Sequence, residues 1–418
     1  MQTKCQESTP DVSFVPDMTE LTTLCGDIRS AVVAKPLQPF SDIIIEFLAA
    51  VSKTLMSSPF ARKYPDVTTF GFFCREGNIN RIKSSYNGKV DNRIGRGLIF
   101  HVAPSNVPVN FAYSLISGLL AGNVNIVKAS SRDFEQTRII CNIFKQVLEQ
   151  DRFEPLRAFI TVVMYDHDRQ DMTEYFSSRC NVRIIWGGDR TIESVRRAPI
   201  PPRSFDVTFA DRYSLAVINP VKLIEIQDDK KALQTLAQNF YNDTYLFDQN
   251  ACTSPHLIYW FGDKASTYKA QNIFWTAVYE NIKDRYIVEP VIAVNKIVAA
   301  ERTAIAIPGS ISVKGTDNRI VRVEVPELSY QMPKLREAGG FFHEYCSSSL
   351  EELAPVIDEK YQTLSYFGCD PIELRNFVLS RGLKGIDRVV PIGHTTDWMM
   401  TWDGYDLIET VSRDIIAI

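Results

Sequence analysis

From Gly97 to Val127 the chain carries no Asp, Glu, Lys or Arg. So long an uncharged run belongs either in a bilayer or in a large core. Its polar residues decide between the two. Pro104, Asn106, Pro108, Asn110, Asn123 and Asn125 all lie inside it, and hydrocarbon offers no partners for their amides or for the backbone groups that the prolines expose. The run therefore reads as a buried strand, loop, helix, turn and strand, with no membrane span. At 418 residues the chain exceeds the size at which one core usually stops growing, so two domains are expected.

Strand and helix patterns alternate around that run. Strands are expected at Leu98–Ala103, Val124–Lys128, Phe159–Val163 and Asn181–Trp186. Helices are expected at Phe111–Leu120, Arg132–Glu149, Met172–Ser178 and Thr191–Arg197. This pitch predicts an α/β protein with a doubly wound parallel sheet. Upstream, Phe40–Met56 spaces Ile43, Ile44, Phe47, Leu48, Val51 and Leu55 as one face of a helix, with Ser41 and Asp42 available as its cap. A second run begins at Leu215–Ile218. It continues through a helix at Lys230–Phe240, a strand at His256–Trp260 and a helix at Ala265–Ile282. Three parts follow: 1–214, 215–385, and a closing segment 386–418 that returns to the first domain or to a partner subunit. From Leu364 onward the chain has strand and turn character.

Several function classes fall away on composition. Lys and Arg number 46 against 50 Asp and Glu, with no basic block, whereas a nucleic-acid binder shows a basic face. The eight cysteines lack C-x-x-C spacing and read as reduced thiols of a cytoplasmic protein. The opening MQTKCQESTPDVSF has no apolar leader region. The five histidines show no metal-ligand spacing, so no metal is expected.

Three blocks carry chemistry. In FHVAPSNVPVNFAYSLISGLLAGNVNIVK, residues 100–128, a strand runs into a Pro-Ser-Asn-Val-Pro loop with Pro108 where a helix would start. The helix ends at Gly122-Asn123, and a second strand delivers Lys128. That sets an Asn amide at the carboxyl end of a strand, where open α/β sheets bind ligands. In NVRIIWGGDRTIESVRR, Gly187 and Gly188 join a strand to a helix, and backbone N–H groups there can meet phosphate. In FDQNACTSPHLIYW, Cys252 precedes a strand. His256 lies four residues on but inside that strand, which points to a structural role.

The first block resembles the cofactor core of the aldehyde dehydrogenase superfamily: Pro104, Asn106 and Pro108, then Ala121, Gly122, Asn123 and Lys128. Gly188 stands where the superfamily has the Gly of its Phe-Thr-Gly-Ser turn, with Asp189 at the Ser. The Cys252 loop resembles the Ala-Cys-(Ser/Thr)-Ser-Pro motif of long-chain acyl-CoA reductases. YQTLSYFG (361–368), LKGIDRVVPIG (383–393) and WDGYDLIETVSR (402–413) resemble the closing motifs of the LuxC-type fatty acyl reductases. That family makes the long-chain aldehyde of bacterial bioluminescence and also occurs outside it.

The resemblance implies an aldehyde-dehydrogenase-like fold, with a cofactor domain and a catalytic domain meeting at a cleft. It implies Cys252 as the nucleophile and Asn106 as an oxyanion donor together with the Cys252 N–H. It implies Lys128 on the adenosine ribose and Glu337, in REAGGFFHEY, on the nicotinamide ribose. Pro104, Ser105, Ser130, Gly187 and Gly188 would complete the cofactor surface. A helix N-terminus and the oxidised nicotinamide would raise the thiolate fraction of Cys252.

Three positions after Lys128, where NAD-preferring members often carry Glu, stand Ser131 and then Arg132. A hydroxyl beside a guanidinium accepts a 2′-phosphate that a carboxylate would repel, which favours NADPH. In SFDVTFADRYSLAVIN, Phe209 occupies the position of the superfamily's general base, unless the register slips onto Asp206 or Asp211. Without a base the thioester persists until it is reduced. The family further implies acyl-CoA or an acylated protein as donor, an acyl-protein synthetase as partner, and a homo-oligomer. A short-chain CoA-acylating dehydrogenase using NAD, or a silent scaffold of the same fold, are the alternatives.

Overall fold

The computed structural model describes residues 15–313 and 315–417; the opening stretch read above for a leader lies outside them. Two compact units result. One runs to Ala210 and takes in the chain from Met399; the other spans Asp211–Trp398.

The first unit contains β1 (Thr22–Cys25), β2 (Arg93–Gly95), β3 (Leu98–Val102), β4 (Val124–Lys128), β5 (Ile160–Met164), β6 (Val182–Trp186) and β7 (Phe205–Phe209). Six of these form one sheet in the order β1-β5-β4-β3-β6-β7. All neighbours are parallel except β1, which runs antiparallel to β5. From β3 the chain winds outward through β4 to β5, then crosses back to lay β6 on the other side of β3. The winding reverses between β3 and β6, and the crevice at their carboxyl ends is where such sheets take ligands.

The uncharged run forms β3, the helix Asn110–Leu120 and β4. Both strands are buried almost throughout, and Asn123, Asn125 and His101 find their partners within the protein, whereas the buried Asn110 Oδ1 has none. Asn123 Oδ1 accepts from Gly97 N at 3.1 Å, and its Nδ2 donates to Val411 O at 2.9 Å. Asn125 Nδ2 donates to Asn123 O at 2.7 Å. The imidazole of His101 lies between Asn125 Oδ1 (3.0 Å) and Ser114 Oγ (2.8 Å), and burial holds its pKa down to about 4. A Cβ on Gly118 would come within 2.1 Å of Asn125 Oδ1, so only glycine fits beside that amide. The helix expected at Phe40–Met56 runs Asp42–Ser57 and buries Ile44, Ile45, Phe47, Leu48, Val51 and Leu55. Ser41 does not cap it with its side chain; its hydroxyl donates back to Gln38 O.

The second unit contains β8 (Tyr213–Ile218), β9 (Pro255–Phe261), β10 (Ile311–Val313), β11 (Val321–Glu324), β12 (Phe341–Ser347), β13 (Tyr361–Phe367) and β14 (Arg388–Pro391). They form one sheet in the order β10-β11-β12-β9-β8-β13-β14, parallel except for β10. Alternate residues feed two cores. Leu215, Val217, Leu257, Tyr259 and Leu364 lie on one face, and Ala216, Ile218, Ile258 and Trp260 on the other. The closing strands β15 (Thr401–Trp402), β16 (Tyr405–Asp406) and β17 (Ser412–Asp414) belong to the first unit, where β17 pairs antiparallel with β2.

Two expected boundaries move. The division falls at Ala210 rather than after residue 214, because β8 starts at Tyr213 and the residues before it bond within the second unit: Asp211 pairs with Arg336 and Arg212 with Asp387. The return to the first unit starts at Met399 rather than residue 386, because β14 pairs with β13. Strand β7 and the helices Pro290–Ala306 and Pro371–Arg381 were not anticipated. In the helix 371–381, Ile372 and Leu379 are exposed while Leu374 and Phe377 are buried, so no single apolar face announces it. Among the described residues no helix is long and apolar enough to cross a membrane, and no acidic, His and Cys cluster is placed to hold a metal.

Candidate active site

Three loops line the reversal point of the first sheet. Pro104, Ser105 and Asn106 follow β3. Lys128 closes β4 and leads to Ser130, Ser131 and Arg132. Gly187 and Gly188 follow β6. Since β4, β3 and β6 are adjacent, the fold gathers every first-unit residue of the expected cofactor surface along one edge. Pro108 lies ahead of the helix, which starts at Asn110. Ser105, Asn106, Ser131, Arg132 and Gly188 are exposed.

The Lys128 ammonium sits 4.9 Å from the ring centroid of Tyr165, and its burial lowers its pKa. The Ser131 hydroxyl donates to Tyr165 O at 3.1 Å, and Ser130 Oγ accepts from Arg132 N at 3.1 Å. Gly188 is the N-cap of the helix Asp189–Arg196, and a Cβ there would point into open space. Gly187 N donates to Phe209 O at 3.1 Å, fixing the turn against the end of β7.

That end carries no acid. Phe209 is the last residue of β7 and stacks on Trp186. The Trp186 indole N–H donates to Ser114 Oγ at 2.9 Å. The two other candidates for a base are committed to ion pairs. Asp206 receives the buried Arg183 guanidinium at 2.8 Å and Arg196 at 3.3 Å, and Asp211 pairs with Arg336 at 2.6 Å.

In the second unit Cys252 is half-buried and lies three residues ahead of β9. Its loop is fixed by buried side chains on both sides. Ser214 Oγ donates to Cys252 O at 2.8 Å and accepts from Thr363 N at 3.2 Å. Ser254 Oγ donates to Asp243 O at 2.7 Å. Asp248 and Gln249 both adopt left-handed backbone, with φ of 51° and 59°, a conformation that holds in non-glycine residues only when the surroundings impose it. Here they do. Gln249 Nε2 donates to Pro255 O (2.9 Å) and Phe341 O (3.0 Å), while its Oε1 accepts from Gly340 N (2.9 Å) and Phe341 N (3.1 Å). One side chain thus ties the Cys252 loop to the turn that follows Glu337.

Glu337 is itself half-buried, and its Oε1 accepts from Ala338 N at 3.0 Å. It stands before β12, the neighbour of β9, so Cys252 and Glu337 share the amino edge of the second sheet. Lys296, fully buried, donates its ammonium to Gly339 O and Asn318 O and braces the same turn. His256 is buried, stacks on Tyr213 with centroids 5.7 Å apart, and is held neutral by burial.

Gln249 stands in the Cys252 block with no task legible there, and neither Ser214 nor Lys296 is marked by its own surroundings in the sequence. The Gln in Asp-Gln-Asn-Ala-Cys was the available clue. Nothing local marks a Ser in a strand 38 residues before the cysteine.

Comparison with known proteins bears on this arrangement. The model of the family acyl-CoA reductase (LuxC) matches residues 80–286. That segment belongs to the acyl-CoA reductase (LuxC) family. The LuxC match takes in Asn106, Lys128, Gly188 and Cys252, and stops short of Glu337. The long-chain acyl-protein thioester reductase of Aliivibrio fischeri is 28% identical over 40% of this chain and 33% of its own length. The one from Vibrio harveyi is 24% identical over 45% and 37%. The matched segment therefore spans only about a third of these LuxC-type relatives. Among solved structures, the NAD-dependent aldehyde dehydrogenase from Sinorhizobium meliloti superposes with a TM-score of 0.65 at 10% identity, covering 92% of this chain and 84% of that one. The chain has the aldehyde dehydrogenase fold.

Proposed function

We propose that this chain is an NADPH-dependent acyl thioester reductase that takes an acyl group onto Cys252 and releases it as an aldehyde. The observation that carries the reading is a half-buried cysteine on a loop pinned by Ser214 and Gln249, in a chain whose β7 ends on Phe209 instead of a carboxylate. The names of the LuxC-type relatives support an acyl thioester, on CoA or on a carrier protein, as the donor.

In the acylation step the Cys252 thiolate adds to the donor carbonyl carbon, and the carbonyl oxygen takes the electron pair. Two donors are assigned to that oxyanion, the Asn106 amide and the Cys252 backbone N–H; removing one such donor typically costs 10²- to 10³-fold in rate. Collapse of this tetrahedral adduct re-forms the carbonyl and breaks the donor C–S bond, and the donor leaves as a thiol with the proton that Cys252 gave up. With no base at Phe209 and with Asp206 and Asp211 held in ion pairs, water is not activated against the resulting thioester.

The residues fit a nicotinamide dinucleotide. Gly188 leaves a helix start open to close approach, the partly desolvated Lys128 amine lies at the carboxyl edge, and Ser131 and Arg132 are exposed beside it. When bound, its reduced form supplies a hydride. The absence of a carboxylate three positions after Lys128, where Ser131 stands, and the exposed Arg132 guanidinium support NADPH over NADH.

The test is NADPH oxidation against acyl-CoAs from acetyl to palmitoyl, with mass analysis of the Cys252 peptide. Cys252→Ser should abolish both acylation and turnover, and unchanged acyl labelling in that variant would overturn the assignment. Arg132→Ala should raise KM for NADPH and leave KM for NADH alone. A preference for NADH in the native chain would remove the cofactor assignment and leave the thioester chemistry standing.

A further inference from the structure

Three arginines from distant parts of the chain meet at the amino edge of the first sheet. Arg96 lies between β2 and β3. Its Nε donates to Thr410 O at 3.0 Å, and its guanidinium sits 5.0 Å from the ring centroid of Phe205, the first residue of β7. Each of these contacts brings a further arginine. Arg413 follows Thr410 by three residues and stands opposite Ile94 in the ladder of β17 and β2. Arg203 precedes Phe205 by two residues. Both are exposed, and among the described residues neither side chain makes a hydrogen bond or an ion pair.

The acids nearby are engaged elsewhere. Asp414 receives Arg93 at 2.6 Å, and Asp206, the neighbour of Phe205, receives Arg183 and Arg196. Arg93 is itself filled by Ser412 Oγ, Ser412 O and Glu409 O. The guanidinium groups of Arg96, Arg203 and Arg413 therefore gather with no carboxylate bonded to any of them. Burial lowers the pKa of Arg96, and the charges of Arg93, Arg413 and Arg203 lower it further. Like charges held together in this way weaken the fold that holds them, and sequences keep such arrangements at functional sites.

We propose that Arg96, Arg203 and Arg413 form a binding site for a diphosphate group, separate from the cofactor edge of the same sheet. A guanidinium fork takes phosphate oxygens in pairs. One carboxylate would satisfy a single fork, whereas a diphosphate carries oxygens for all three. Arg96 is the fixed member, held by Thr410 O and backed by the Phe205 ring. Arg203 and Arg413 are free to close on the ligand, one from the start of β7 and one from β17. The site is distinct from the nucleotide surface described above. Lys128 and Gly188 lie at the carboxyl ends of β4 and β6, and strands of five residues put about 15 Å between the two edges. A diphosphate bound here ties the closing segment of the chain to β7, so it stabilises the fold as it binds. None of this depends on the chemistry assigned to Cys252.

Calorimetric titration of the full chain with inorganic pyrophosphate at low salt tests the site. The native chain should bind, and its Tm should rise with pyrophosphate concentration. Arg203→Gln and Arg413→Gln should each weaken binding about tenfold, and the double variant should lose the rise in Tm. Neither side chain holds another residue, so the Tm without pyrophosphate should not fall. Arg132→Ala, at the cofactor edge, should bind pyrophosphate as the native chain does, which keeps this test apart from the choice of nicotinamide. Adenosine diphosphate and CoA identify the source of the group: tighter binding of either assigns the site to that nucleotide, and equal binding assigns it to free diphosphate. Binding of native strength in the double variant, preference for a polyglutamate peptide, or no binding at millimolar pyrophosphate would overturn the proposal.

Discussion

The indole of Trp186 lies flat on the phenyl ring of Phe209, with centroids 3.8 Å apart and 16° between the planes. Tyr405 meets Phe209 edge-on at 5.9 Å. The end of β7 is thereby filled by rings and carries no carboxylate, in keeping with the proposed placement of Phe209 at the position of the base. An acyl group on Cys252 should therefore outlast its formation: with an acyl-CoA donor and no nicotinamide, intact mass should show the adduct persisting for many turnover times. Rapid loss of the adduct to free acid would show that another group activates water.

The same stack makes Phe209 a packing residue. Phe209→Ala should cost roughly 3–5 kcal/mol, and Phe209→Leu less than half of that. Urea midpoints measure both. Equal stability of the alanine variant would mean that the rings around it collapse into the space.

Ser214 joins Cys252 O to Thr363 N. Ser214→Ala removes both bonds and should cost about 1–3 kcal/mol. It should also slow alkylation of Cys252 by iodoacetamide and lower kcat/KM by roughly tenfold, since small misplacements of a reacting group are expensive. Native alkylation kinetics in this variant would show that the loop holds its shape without the serine.

Gln249 serves two N–H groups and two carbonyls at once, and its replacement separates these tasks. Gln249→Ala should cost on the order of 3 kcal/mol or more, because four buried groups lose their partner. Gln249→Glu keeps the acceptor for Gly340 and Phe341 but turns a second oxygen towards two carbonyls, so it should rescue little. A fully stable glutamate variant would mean that the carboxyl is protonated in place.

Asp243 is buried, and its carboxylate accepts from Gly393 N at 2.6 Å and Thr395 N at 3.1 Å. Burial outweighs those bonds and raises its pKa from 3.8 to about 6. The folded state then holds a proton that the unfolded chain has lost, so this group's contribution to stability falls as pH rises from about 4 to about 6. Asp243→Asn lacks that titration. The Tm of the variant minus that of the native chain should climb across this window and level off above it. A flat difference would place the titration elsewhere.

The first sheet was legible because its strands are buried on both faces and announce themselves as apolar runs, as in Leu98–Val102 and Val182–Trp186. The reversal-point loops were legible because Pro104, Asn106 and the Gly187-Gly188 pair are residue types with few other uses in such places. Strand β7 was not, since Phe205 and Asp206 are only half-buried and break the run. The helix 290–306 escaped for a different reason: its apolar residues face outward, so the usual link between periodicity and core is inverted. Among the supports of the Cys252 region, Ser214 and Lys296 left no local trace because they act through backbone groups distant in the chain. Gln249, although it stands in the Cys252 block, makes three of its four bonds to Gly340 and Phe341.

Among the described residues, strand β2 pairs with β17 alone. Arg93 reaches Ser412, 319 residues further on, and also holds Glu409 O and Asp414. The second unit is therefore inserted into the first, and on the ribosome β2 must wait while the whole insertion is translated before its covering strand emerges. Until then its edge is open to stray pairing. Termination just before Ser412, which removes β17, should therefore yield aggregates instead of a soluble protein.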